Sequence, residues 1–188
     1  MKLLTKILLA LPLIGRMIKS SKGYLLANLQ LLLNAKKYKE CVELACYELS
    51  NETTATSDEF IWWEVMNMAV QCASKEQSKD DYVRLVKLVI NRKIPSFKRS
   101  VAKTLTNLSM LGYFHHDVEG MIEVAKLAST ADRDWGEPYF LLGWYHLPRK
   151  ESIELFKKAV EKDSIYMDRI KTDSTCQKYP EIVAELIR

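Results

Sequence analysis

Apolar positions along this chain recur every three or four residues, and no stretch alternates with the period of two that a half-buried strand needs. Ile61, Val65, Met68 and Cys72 hold that spacing, as do Val83, Val86 and Ile90, and Phe97, Val101, Leu105, Leu108 and Leu111. The pattern predicts helices over about 22–35, 37–50, 58–73, 80–91, 96–112, 118–130, 135–147 and 151–163. A short helix follows from Ser164 and breaks at Thr172-Asp173-Ser174, and Pro180 opens a last one to Arg188. The breaks are polar: Asn51 to Ser57, Ser74 to Lys79, His115-His116-Asp117, Asp132-Arg133-Asp134 and Pro148-Arg149-Lys150. Ser57 and Ser96 are the expected N-caps of the third and fifth helices.

The helices fall into pairs. The first helix of each pair starts near 22, 57, 96 and 135, so successive starts lie 35, 39 and 39 residues apart. Near-constant spacing of this size is the signature of a repeat, and an antiparallel pair this small must stack on a neighbour to bury its apolar face. Composition agrees. Six Gly and five Pro in 188 residues are few for a turn-rich all-β chain, and an apolar fraction of 48% suffices for a packed interior.

The fourth pair carries the most specific pattern. Leu142-Gly143 sits inside its first helix, where a small residue lets the second helix approach closely. Ser152-Ile153, Phe156 and Ala159 then follow a small-aliphatic, aromatic, small order. Tyr38, Cys41-Val42 and Ala45 follow it in part, and Met121-Ile122 and Ala125 more loosely. On these residues the chain resembles the tetratricopeptide repeat (TPR) family. The likeness covers most of residues 22–163, with its motif content concentrated in the fourth pair. It departs from the family in its shortened turns, in having no Trp near the start of the first and third pairs, and in lacking a closing Pro in most repeats. The segments 167–173 and 179–182 are similar to the tail that often closes such arrays. The resemblance implies an all-α, right-handed superhelical array of about four antiparallel hairpins with terminal capping helices, spanning 21–188. The alternative is a helical solenoid of another kind.

Residues 1–20 stand apart. Ile7 to Gly15 is apolar behind Lys2 and Lys6, and is too short to span a bilayer, which needs about 20 residues. It reads as a capping helix, a membrane-surface helix or a secretory signal, although Arg16-Met17-Ile18-Lys19 offers no small-x-small cleavage site. Pro12 would kink or end that helix. The four cysteines form no C-x-x-C pair, and the place of Cys41, Cys46 and Cys72 on apolar helix faces suits buried thiols in a reducing, cytoplasmic setting.

Charge is segregated. Met1 to Lys39 holds eight basic residues and no acid, Glu40 to Ser74 seven acids and no base, and Tyr82 to His116 seven bases and no acid. Blocks of opposite sign either steer a partner or are solvated faces. Three stripes lie opposite the apolar faces: Tyr24 and Asn28; Glu59, Trp63, Asn67 and Gln71; and Arg99, Lys103 and Asn107. The family resemblance implies that the first helices of the pairs line a concave groove, which would place all three stripes in it. Asn, Lys and Arg there could hold the backbone or carboxylates of a protein segment. Arg99→Glu with Lys103→Glu is then expected to abolish capture and leave the thermal melt nearly unchanged. Of the neighbouring Trp62 and Trp63, about 100° apart on a helix, one is expected in the core and one near a groove or an adjoining helix.

There is no glycine-rich phosphate loop, no G-x-S-x-G and no H-E-x-x-H, so no cofactor, metal or catalytic residue is assigned. The expected function is non-catalytic binding of one protein partner, as an adaptor, a chaperone or an immunity-type inhibitor. The alternatives are nucleic-acid binding through Arg84, Lys87, Arg92, Lys93, Lys98, Arg99 and Lys103, and a membrane-associated adaptor tethered by residues 1–20.

Overall fold

The computed structural model describes residues 21–51, 57–95 and 98–187, which form helices joined by turns with no strand among them. In chain order these are α1 (Ser21–Asn34), α2 (Tyr38–Ser50), α3 (Glu59–Glu76), α4 (Lys79–Ile90), α5 (Arg99–His115), α6 (Val118–Ala131), α7 (Gly136–Tyr145), α8 (Glu151–Lys162), α9 (Ile165–Thr172), a 3-10 turn (Cys176–Lys178) and α10 (Pro180–Ile187). The protein is therefore all-helical over the described residues, as the periodicity predicts. The readings of residues 1–20, of Ser96 as a cap and of Phe97 on an apolar face lie outside them. No helix of the described residues is long and apolar enough to cross a membrane.

The chain divides into two units, residues 1–88 and 89–188. In the first unit α1 and α2 form a hairpin, and α3 packs against both. Lys22 Nζ lies 3.0 Å from Asp58 Oδ2, which ties the start of α1 to the start of α3. That contact corrects the expected cap. Asp58, not Ser57, closes the helix N-terminus, its Oδ1 accepting from Phe60 N at 2.9 Å and Ile61 N at 3.2 Å. The Lys22 ammonium above all, and then those backbone donors, hold the Asp58 carboxyl below its ordinary range. Meeting two helices widens the buried arc of α3 beyond a single stripe. Trp62, Trp63, Val65, Met66, Ala69, Val70, Cys72 and Ala73 are all buried, and the two indoles meet edge-on at 4.9 Å. On α4 the buried face is Tyr82, Leu85, Val86 and Val89, one position round from the Val83, Val86 and Ile90 face that the apolar letters suggest.

In the second unit α5 and α6 form a hairpin, α7 packs against both and pairs with α8, and α8 meets α9 and α10. Val101, Leu105, Leu108 and Leu111 are buried as their spacing predicts. Gly143 does what its size permits. A Cβ built there would lie 2.7 Å from Phe156 Cδ1, so the α7 backbone rests on the face of that buried ring. At Gly136 a Cβ would run into the Tyr166 ring and lie 2.8 Å from the Ala159 carbonyl oxygen, which brings the start of α7 against α8 and α9. Phe140, Phe156, Tyr166, Ile170, Cys176 and Ile182 share one core, so α9, the 3-10 turn and α10 cover the end of this unit. Glu137 on α7 accepts from Tyr166 Oη at 3.2 Å and pairs with Arg169 of α9. Burial, reinforced by the Glu137 charge, pushes the Tyr166 hydroxyl up to about 12. Asp173 accepts from Trp144 Nε1 at 3.2 Å, Thr175 N at 2.8 Å and Cys176 N at 3.0 Å. Partial burial opposes ionisation there, but these donors together hold its carboxyl below the ordinary range.

A repeat invisible in the letters appears at the turns. The α1–α2, α3–α4 and α5–α6 connections each place one residue in the left-handed region, Lys36 (φ 58°), Gln77 (φ 54°) and His116 (φ 56°). In each case the second helix begins two residues later. Lys37 N donates to Leu32 O and Asp117 N to Gly112 O, the long bond that satisfies carbonyls at a helix end. None of the three residues is Gly, although a side chain there costs about 1 kcal/mol. Replacing each with Gly is expected to raise stability by about 0.5–1 kcal/mol per site in chemical denaturation. A loss at all three sites would show that the side chains matter more than the backbone conformation.

Candidate functional site

The two stripes of the first unit differ in what they offer. On α1, Tyr24 is exposed and Asn28 half-buried. On α3, Glu59 and Gln71 are exposed and Asn67 is half-buried, but Trp63 is only 6% exposed and belongs to the core. The physical reason is the two-sided packing of α3, which leaves no open face at that position.

The third stripe is the most accessible. Arg99, Lys103 and Asn107 on α5 are all exposed, and Met110 and Phe114 continue the same face at positions eleven and fifteen beyond Arg99. Tyr113 stands beside them and is exposed as well. Sequence reasoning misses Tyr113 and Phe114 because Gly112 and the two histidines suggest an earlier helix end, whereas α5 runs through Gly112 to His115; Met110 lies within the predicted helix and escapes notice because it is apolar on an otherwise polar stripe. The signal that could find them is their phase, since the wheel begun at Arg99 carries on through them.

Two sets of contacts fix α5 against α7. At the start of both helices the Arg99 guanidinium lies 5.2 Å from the Trp135 ring centre. Near their ends Tyr113 meets Trp144 edge-on at 5.4 Å, and Ser109 Oγ lies 3.4 Å from Tyr145 Oη. The helices are therefore parallel. The small buried residues Ala102, Thr106 and Ser109 lie on the side that receives α7. α7 itself presents no fully exposed residue, so the open surface of this pair is the outer face of α5.

Arg99 is not a free cation. Its Nε donates to Asp132 Oδ2, and the Asp132 side chain is only 10% exposed. Asp132 Oδ1 also accepts from Asp134 N at 3.0 Å, and Lys98 N donates to Ala131 O at 2.8 Å. Arg99 thus helps join the start of α5 to the end of α6. Among the described residues Lys103 has no comparable tie, and it is the cation of the stripe that can be altered without disturbing the fold.

Other reactive groups are shielded. All four cysteines are buried. Burial is the main cause that pushes the Cys46 thiol up to about 11 and the Cys176 thiol up to about 12. The Cys41 thiol is pushed up by its hydrogen bond with Cys72 and by burial. Thiolate, the reactive form, is scarce at these three sites, whereas the hydrogen bond with Cys41 holds the buried Cys72 thiol below its ordinary range. Asp117 caps α6 by accepting from Gly120 N at 3.0 Å. Among the described residues no three His, Cys, Asp or Glu side chains gather as a metal site would require.

Fold and surface together define an all-helical protein built from hairpins, with an open polar-to-aromatic helix face in its second unit. Compared with known proteins, the chain matches no family model, no curated protein and no solved structure.

Proposed function

We propose that this chain is a non-catalytic protein-interaction module, a short right-handed array of TPR-like hairpins that holds one protein partner on the exposed face of α5, the first helix of its third pair. An adaptor, a dedicated chaperone or an immunity-type inhibitor would use such a surface. The observation that carries this reading is the outer face of α5, a continuous exposed stripe from Arg99 to Phe114 on a helix whose opposite side is fully packed. The αL turn shared by three helix–helix connections and the seat of Gly143 on Phe156 support the TPR-like architecture.

Nucleic-acid binding is less well supported. Of its seven candidate cations, Arg84 lies 3.6 Å from Asp81 and Arg99 pairs with Asp132, which weakens the phosphate attraction on which such binding depends. Affinity capture from the native host with the full chain, with and without nuclease, tests the choice. A single protein retained after nuclease treatment is expected. Capture that vanishes with nuclease, or no protein above the bead control, overturns the proposal.

A further inference from the structure

The stripe on α5 has a direction. Lys98 stands at its N-cap and its first two turns carry Arg99 and Lys103, all exposed. Its last two carry Met110, Tyr113 and Phe114, exposed by 42%, 55% and 61%, with Val118 at the start of α6 exposed by 54%. Asn107 lies between, and its amide offers a donor and an acceptor to a peptide backbone. An apolar group of this size on an exposed helix end is unfavourable unless something covers it. Its position beside a cationic stretch on the same face says what kind of segment would.

We propose that the outer face of α5 takes one linear protein segment that is acidic at one end and carries a bulky apolar or aromatic side chain at the other. This rests on the interaction-module reading and adds the chemistry, polarity and spacing of the partner. The charge side follows from complementarity. Lys103, Lys98 and the outer part of Arg99 favour carboxylates, and the N-terminal ends of α5 and α7 lie together there with their dipoles aligned. The apolar side follows from Phe114 and Tyr113, whose rings already meet edge-on at 5.8 Å and leave Met110 as an adaptable neighbour. From Arg99 to Phe114 the helix rises about 22 Å, at 1.5 Å per residue. An extended segment spans that distance in about seven residues.

Selection of phage-displayed random dodecapeptides on the immobilised full chain tests this directly. The expected pool pairs Asp or Glu with Trp, Phe, Leu or Met about six to seven residues away. A synthetic peptide of the consensus should bind Lys103→Glu at least about tenfold more weakly, with its salt dependence reduced. It should bind Phe114→Ser about tenfold more weakly with the salt dependence kept. Both side chains are exposed, so circular dichroism should report both variants as folded.

Peptides that bind both variants as well as the parent chain would place the partner elsewhere and overturn this inference while leaving the interaction-module reading standing. A pool without acidic residues would overturn the charge assignment. Sedimentation showing a dimer that Phe114→Ser dissociates would make a second copy of the chain the occupant, and would overturn the inference too. Failure to select any peptide, together with empty affinity capture, would remove both readings.

Discussion

Phe156→Ala is expected to cost about 3–5 kcal/mol in chemical denaturation, a large share of the stability of a small domain. Phe156 is fully buried, its ring centre lies 5.8 Å from that of Phe140, and it fills the space over Gly143. The partnership gives a sharper test than the single variant. In the parent chain Gly143→Ala places a methyl 2.7 Å from the ring, closer than packing tolerates, and overpacking of this kind costs about 1–3 kcal/mol. The ring cannot swing aside, because its Cγ lies only 3.1 Å from the same point. In the Phe156→Ala background the clash is gone, the methyl enters vacated space, and Ala is the better helix former by about 1 kcal/mol. Gly143→Ala should therefore change sign between the two backgrounds. Additive effects in the double-mutant cycle, within about 0.5 kcal/mol, would mean that the two residues do not touch.

Arg99→Glu is expected to destabilise the protein by about 2–3 kcal/mol, where the sequence stripe alone suggests no effect on the melt. Breaking a buried pair costs about 3–5 kcal/mol, and the half exposure of Arg99 discounts that figure through solvent screening. The substitution sets a second carboxylate against Asp132, whose side chain is only 10% exposed, and removes the cation above Trp135. Restoring the pair in reverse, with Asp132→Lys in the same chain, should recover part of the loss. A melt unchanged by Arg99→Glu would show that the ion pair contributes nothing. It follows that Arg99→Glu combined with Lys103→Glu cannot separate partner loss from unfolding, whereas Lys103→Glu alone can.

Much of the helical scaffold is legible in the amino-acid sequence. The hairpin boundaries fall within a few residues of their predicted places because caps, polar breaks and apolar spacing are local signals. The core face of α5 and the small-aromatic-small face of α8 match the sequence pattern, since each helix has one dominant apolar stripe. The buried face of α4 lies one position from the expected one because Tyr82 is amphipathic, and counts as neither core nor surface until its neighbours are known. The αL turns at Lys36, Gln77 and His116 give no warning, because none carries the Gly or Asn that usually marks one. Of the candidate stripes, the one on α5 is accessible along its length and extends through Met110 to Tyr113 and Phe114, the last two beyond the predicted helix end. The one on α3 loses Trp63 to the core.

The order of residues is enough to predict that the described residues are helical, that α1–α2, α5–α6 and α7–α8 pair as hairpins, and that Gly143 permits a close approach. These depend on backbone geometry and on residues a few positions apart. Packing in three dimensions settles the rest: Trp63 is buried, Arg99 belongs to Asp132 thirty-three residues away, and the far end of α5 is left uncovered. Burial and pairing are set by how many segments converge on a side chain, and those segments are distant along the chain. No periodicity within one helix can count them.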